Sequence, residues 1–178
     1  MTSSGSDQRR HLVLVGLMGS GKTTVGEECA RRLGRSFVDL DEMIMVHAAM
    51  PIEELWNASG EDRFREMERE VVVEVCEAPN PLVIACGGGT VVDPDSRRRL
   101  RAAGIVVWLK APTAVLAARV GNDPGRPLLA GDPAGALARL SALREEAYTA
   151  AADAAVDTED RDVDAVADAV LAAFEDAS

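Results

Sequence analysis

The stretch "GLMGSGKTT", residues 16–24, decides the fold. It follows the apolar run "HLVLV" (11–15) directly and opens "KTTVGEECARRLG" (22–34), which carries Val25, Cys29 and Leu33 at helical spacing. Strand, glycine loop and helix in that order are the context that G-x-x-x-x-G-K-[ST] needs to mean phosphate binding. Glycines let backbone N–H groups curl around phosphate oxygens, and the helix N-terminus adds its positive end. Lys22 can reach the β- and γ-phosphates, and the Thr23 hydroxyl suits Mg²⁺. A glycine turn that merely precedes a helix would need neither the lysine nor the hydroxyl.

Working outward, further apolar runs alternate with stretches of helical period. "SFVDL" (36–40), "PLVIAC" (81–86), "GIVVWL" (104–109) and "DAAVDT" (153–158) read as four more short strands. "GEDRFREMEREVVVEVCE" (60–77) reads as a long amphipathic helix with Phe64, Met67, Val71 and Val75 on one face. "PDSRRRLRAA" and "PTAVLAARV" each start with Pro in the first turn, where its missing N–H costs nothing. From Leu137 on, alanine content and the spacing of Val163, Val166, Val170 and Leu171 predict helix. Such alternation predicts an α/β fold, a parallel sheet covered on both sides, with ligands at the carboxyl ends of its strands. No repeat or linker divides the chain, and 178 residues suit one domain with a continuous core.

Charge narrows the partners. A formal net charge of −11 repels nucleic acid and anionic membrane surfaces, so phosphate must be held by local donors. No apolar run approaches a membrane span. Cys29, Cys76 and Cys86 lack metal-ligand spacing and read as reduced thiols, so a cytoplasmic location is expected. Residues 1–10, "MTSSGSDQRR", read as a disordered start. Of 19 basic residues only Lys22 and Lys110 are lysines, which singles out Lys22 further.

"SFVDLDE" (36–42) sets Asp39 and Asp41 two positions apart, on one face if the run continues as a strand. Like charges that close call for a cation between them, and a Mg²⁺–triphosphate supplies one. Because "PLVIAC" ends in glycines with no acid following, Asp39 or Asp41 must be the metal carboxylate. No guanine-selecting N-K-x-D is present, which favours adenine. Four features fit an acceptor pocket: Arg65 and Glu68 one turn apart in "RFREMERE", the bare backbone of Gly87–Gly89, Arg126 in the Gly- and Pro-bounded loop 121–131, and Arg144 in "LREEAY". Taken singly, these are also the pattern of a surface ion pair, a tight turn, an ordinary connection and a solvated helix residue.

In order and spacing, "GLMGSGKTT", "DLDE", "FREME", "GGGT", "RPLL" and "REEAY" resemble shikimate kinase over roughly Leu12 to Val170. The resemblance implies a three-layer sandwich around a five-stranded parallel sheet, a P-loop NTPase of the nucleoside-monophosphate-kinase type. It implies one kinase domain over 11–178, with an acceptor-binding segment at about 42–71 and a lid at about 121–131. Gly19, Ser20, Gly21, Lys22, Thr23 and Thr24 would bind ATP phosphates, with Arg119 against adenine and Arg126 on the transferring phosphate. Thr23 and, through water, Asp39 would hold Mg²⁺. Asp41 would meet the acceptor's ring hydroxyls, Arg65 and Arg144 its carboxylate, and Gly88 and Gly89 its other hydroxyls. Lys22, Asp41 and Arg126 would be the catalytic set, and Trp56 and Phe64 would wall the pocket. The expected partners are ATP and shikimate, without nucleic acid or membrane, and the expected state is a monomer. Two departures stand out: "REEAY" lacks the family's usual Pro and Leu after Arg144, which puts the placing of Arg144 in question. "TEDRDVDAV" is more acidic than usual on the adenine side, predicting weaker nucleotide affinity. The rivals are another small-molecule kinase, such as one acting on gluconate, and a non-catalytic nucleotide-binding module.

Overall fold

The structure is a computed structural model and describes residues 10–121, 129 and 131–178. All but Arg10 of the expected disordered start, and most of the expected lid, Arg126 included, lie outside the described residues. Five strands form one parallel sheet: β1 (His11–Val15), β2 (Ser36–Asp39), β3 (Leu82–Ala85), β4 (Gly104–Lys110) and β5 (Ala154–Asp157), in the order β2-β3-β1-β4-β5. In register Val13 lies between Ile84 and Val106, so the most apolar strand is the central one.

Period-two alternation splits the sheet's side chains into two cores. Leu12, Leu14, Val83, Ile105, Val107 and Leu109 face one layer, with Val25 and Cys29 of α1 (Lys22–Leu33) and Val166, Val170 and Phe174 of α7 (Val163–Asp176). Val13, Val15, Ile84 and Val106 face the other. That layer holds α2 (Leu40–Ala48), α3 (Ile52–Cys76), α4 (Pro94–Ala103), α5 (Thr113–Val120) and α6 (Pro133–Ala151). The three-layer architecture is as expected, and all five predicted strands are present with ends shifted by a residue or so.

Two local readings need correction. The strand predicted over 36–40 stops at Asp39, and Leu40 and Asp41 begin α2. Asp39 is the N-cap: its Oδ1 accepts from the Asp41 and Glu42 amides at 2.9 and 3.4 Å. An aspartate followed by acids in the first turn satisfies orphan N–H groups and the helix dipole, and that local preference ends the strand. Asp39 and Asp41 therefore do not share a strand face. The helix predicted from Gly60 is the second half of α3, which begins at Ile52 and is broken by Gly60 at φ 77°, ψ 175°.

Candidate active site

Everything singled out as phosphate- or acceptor-binding and described here lies at the carboxyl edge of the sheet or on the helices above it. The loop after β1 closes because glycine occupies its tight points. A β-carbon at Gly16 would lie 2.5 Å from the Leu109 carbonyl oxygen, and Gly19, at φ +80°, packs directly on Val120 of α5. Lys22 Nζ donates to the carbonyls of Gly16 and Leu17 at 2.8 and 3.0 Å, which keeps the ammonium over the loop mouth. Thr23 Oγ1 donates to Asp39 Oδ2 at 2.8 Å. Those two hard oxygens suit Mg²⁺, which takes one or two protein ligands and fills the rest with water and phosphate. Both come from the termini of packed elements, Thr23 from the first turn of α1 and Asp39 from the end of β2.

Beside the glycine loop a cavity of about 200 Å³ is lined by Gly21, Thr24, Arg119, Thr158, Asp162 and Val163, among others. Arg119 spans it: Nη1 donates to Gly19 O at 3.3 Å and Thr158 Oγ1 at 2.9 Å, and Nη2 to Thr158 O at 2.9 Å. Thr158 is buried just past β5, so the guanidinium plane is fixed from both sides of the cavity. Thr158 was missed because a lone threonine after a weak strand carries no signal of its own.

The acceptor side is built on the glycine run after β3. A β-carbon at Gly87 would lie 2.8 Å from Asp41 Oδ1, one at Gly88 2.9 Å from Arg144 Nη1, and one at Gly89 2.7 Å from Arg65 Nη1. Three side chains from α2, α6 and α3 thus converge on three successive residues that bear no side chain. Bare backbone here is a steric requirement, and it includes Gly87, to which the resemblance assigned no contact of its own. Arg65 is oriented as predicted: Nη1 donates to buried Glu68 at 2.8 Å, and Thr90 Oγ1 donates to the other Glu68 oxygen at 2.7 Å. Trp56 and Phe64 stack at 5.2 Å, with the Arg65 guanidinium 5.1 Å from the Phe64 ring.

Arg144 is 5% exposed, and its Nη1 has no hydrogen-bond partner among the described residues. A buried guanidinium nitrogen left open is costly unless a ligand anion completes it. Without that Pro and Leu, α6 still runs unbroken through Tyr148 to Ala151 and carries Arg144 against Gly88. Tyr148 donates its hydroxyl to the Gly88 carbonyl, and burial pushes its pKa up to about 12, against the lowering effects of the Arg144 charge and of a side-chain hydrogen bond with Arg144. Burial likewise raises the Cys86 thiol well above the ordinary range, so it packs as a small neutral hydrophobe. Among the described residues no helix is long and apolar enough to cross a membrane.

Comparison with known proteins gives these positions their context. The family model of shikimate kinase matches residues 18–175. The shikimate kinase of Geobacter sulfurreducens is 44% identical over 158 residues, 88% of this chain and 86% of its own length. A solved shikimate kinase from Acinetobacter baumannii, in complex with shikimate, superposes with a TM-score of 0.89 at 33% identity, over 96% of this chain and 95% of that one. A gluconokinase from Sinorhizobium meliloti, by contrast, shares only the fold, with a TM-score of 0.58 at 19% identity over 95% of this chain and 93% of that one. The chain belongs to the shikimate kinase family.

Proposed function

We infer that this chain transfers the γ-phosphoryl group of ATP to the 3-hydroxyl of shikimate, giving shikimate 3-phosphate and ADP. The observation that carries the substrate is the open nitrogen of buried Arg144 beside Gly88, with Arg65 beside Gly89. Two guanidinium groups flanking bare backbone suit a carboxylate on a small hydroxylated ring, which can approach where any side chain would clash.

In a loose phosphoryl-transfer transition state the protein positions the reactants and neutralises charge. Lys22 lies over the loop mouth, within reach of the β- and γ-phosphates. Thr23 and Asp39 would hold Mg²⁺, Asp39 through water; the ion when bound neutralises charge on the β- and γ-oxygens. Asp41, one residue into α2 and against Gly87, orients the attacking hydroxyl and accepts its proton as the O–P bond forms. The bond to the ADP oxygen breaks in the same displacement, leaving the electron pair on ADP. Arg119 holds the base, and Arg126, outside the described residues, is assigned to the transferring phosphate by the family resemblance alone.

A coupled ADP-release assay tests the reading, with shikimate set against gluconate and nucleoside monophosphates, each with and without Mg²⁺. Turnover confined to shikimate and dependent on Mg²⁺ is expected; faster release with gluconate would reject the substrate.

A further inference from the structure

The buried tyrosine beneath the acceptor site has no part in the transfer as described, yet its hydroxyl occupies a decisive atom. Arg144 Nη1 sits 2.9 Å from where a Gly88 β-carbon would be, so the Gly88 peptide is its immediate neighbour. The carbonyl of that peptide accepts from the Tyr148 hydroxyl, one helical turn after Arg144, and the Arg144 side chain bonds to the same tyrosine. The ring that carries this hydroxyl cannot move aside: Tyr148 is 1% exposed and stacks on Trp108 at 5.3 Å.

We propose that Tyr148 is a positioning residue for acceptor recognition: its hydroxyl, tied to the Gly88 carbonyl and set against Arg144, holds that guanidinium with Nη1 open to a ligand carboxylate. The fixed phenol thus acts without touching the ligand. This inference rests on the carboxylate reading of the site, and its test separates the two.

The test compares wild type and Tyr148→Phe with shikimate and with its methyl ester, which keeps the ring hydroxyls and loses the charge. The expected result is a KM for shikimate raised about tenfold, the loss of one buried hydrogen bond and its consequence for Arg144. The KM for the ester, the KM for ATP and kcat should each change less than about twofold, since none depends on where the Arg144 charge is held. An equal rise for acid and ester would mean general loosening of the pocket, and an unchanged KM for shikimate would mean that the hydroxyl does nothing; either overturns the proposal. Failure of the wild type to prefer shikimate over its ester would reject the carboxylate reading itself.

Because the chain contains a single tyrosine, a second measurement needs no substitution. Wild-type protein grown with 3-fluorotyrosine gives one ¹⁹F resonance, from position 148. Saturating shikimate should shift it as the neighbouring guanidinium gains its counter-charge, and the ester should shift it much less. A resonance indifferent to both ligands would overturn the proposal even if the phenylalanine variant did not fold.

Discussion

Arg144→Met should make the protein more stable and nearly useless. The side chain is 5% exposed, and one guanidinium nitrogen is sealed from water with no acceptor. Leaving a buried charged donor unsatisfied costs on the order of 1–3 kcal/mol, whereas methionine keeps most of the stem's volume and removes the charge. With some packing lost, the expected rise in Tm is about 3–6 °C for a chain of this size. Function should move the other way: losing a buried charge pair with the ligand costs about 2–5 kcal/mol, a KM for shikimate raised about thirtyfold or more. One pair of thermal melts reads both effects. Shikimate at 100 times its Kd stabilises the wild type by about 2.7 kcal/mol, and the same concentration should leave the variant's melt almost unmoved. A variant that melts below the wild type would show that Arg144 is satisfied in the free protein. An unchanged KM would remove it from the pocket.

The two aspartates should fail differently. Asp39→Asn keeps the N-cap, since asparagine caps as well as aspartate, so the fold should persist while half-maximal activity needs about tenfold more Mg²⁺. Asp41→Asn should leave the Mg²⁺ dependence alone and lower kcat about 10²- to 10⁴-fold; one shared phenotype in metal titrations would end that division of roles. Glu68→Gln weakens the charge-assisted bond that aims Arg65, worth about 1.5–3 kcal/mol, so the KM for shikimate should rise about 10- to 100-fold with the KM for ATP unchanged. His11 gives a pH signature far from the site: it is buried at the start of β1, and its Nδ1 accepts the Leu82 amide at 3.0 Å. Burial first, and then the Arg35 charge, lower its pKa. The unfolded chain therefore takes up this proton at a higher pH than the folded one, and stability is full above about pH 6.5 and falls as the pH drops toward the folded value. Urea midpoints between pH 7.5 and 5 should show that fall, and a His11→Gln variant should flatten it; identical slopes would exclude His11 as its source.

What could be read in the chain follows from how local the cause is. The loop over 16–24 was legible because strand, glycines, lysine and hydroxyl are contiguous and each is demanded by the same phosphate. The two-sided sheet was legible because unbroken apolar runs can be buried only on both faces. Asp41 was misplaced because two local rules compete over 36–42: apolar alternation favours continuing the strand, and an aspartate before two acids favours a helix cap. The cap wins, because it satisfies amides at the end of a strand only four residues long. That outcome supplies the geometry that a shared strand face could not. A carboxylate closing β2 is fixed by its own capping bonds and stays beside Thr23. A carboxylate in the first turn of the helix is carried over the glycine run, against Gly87. The residues whose roles the sequence did not reveal, Thr158 and Tyr148, act on a functional arginine and a glycine through one or two hydrogen bonds across 39 and 60 positions. Nothing in a neighbouring residue type demands such a bond, so only the folded arrangement discloses it. For the same reason, those bonds are where members of one family can differ in affinity while every motif stays intact. The loop after β5 shows how: Asp162 and Arg161 line the cavity that Arg119 spans, and the acids Glu159 and Asp160 precede them in the chain. Raising the ionic strength should therefore narrow any deficit in ATP affinity that this loop imposes, because screening weakens repulsion between exposed carboxylates and phosphate more than it weakens the fixed contacts of Arg119.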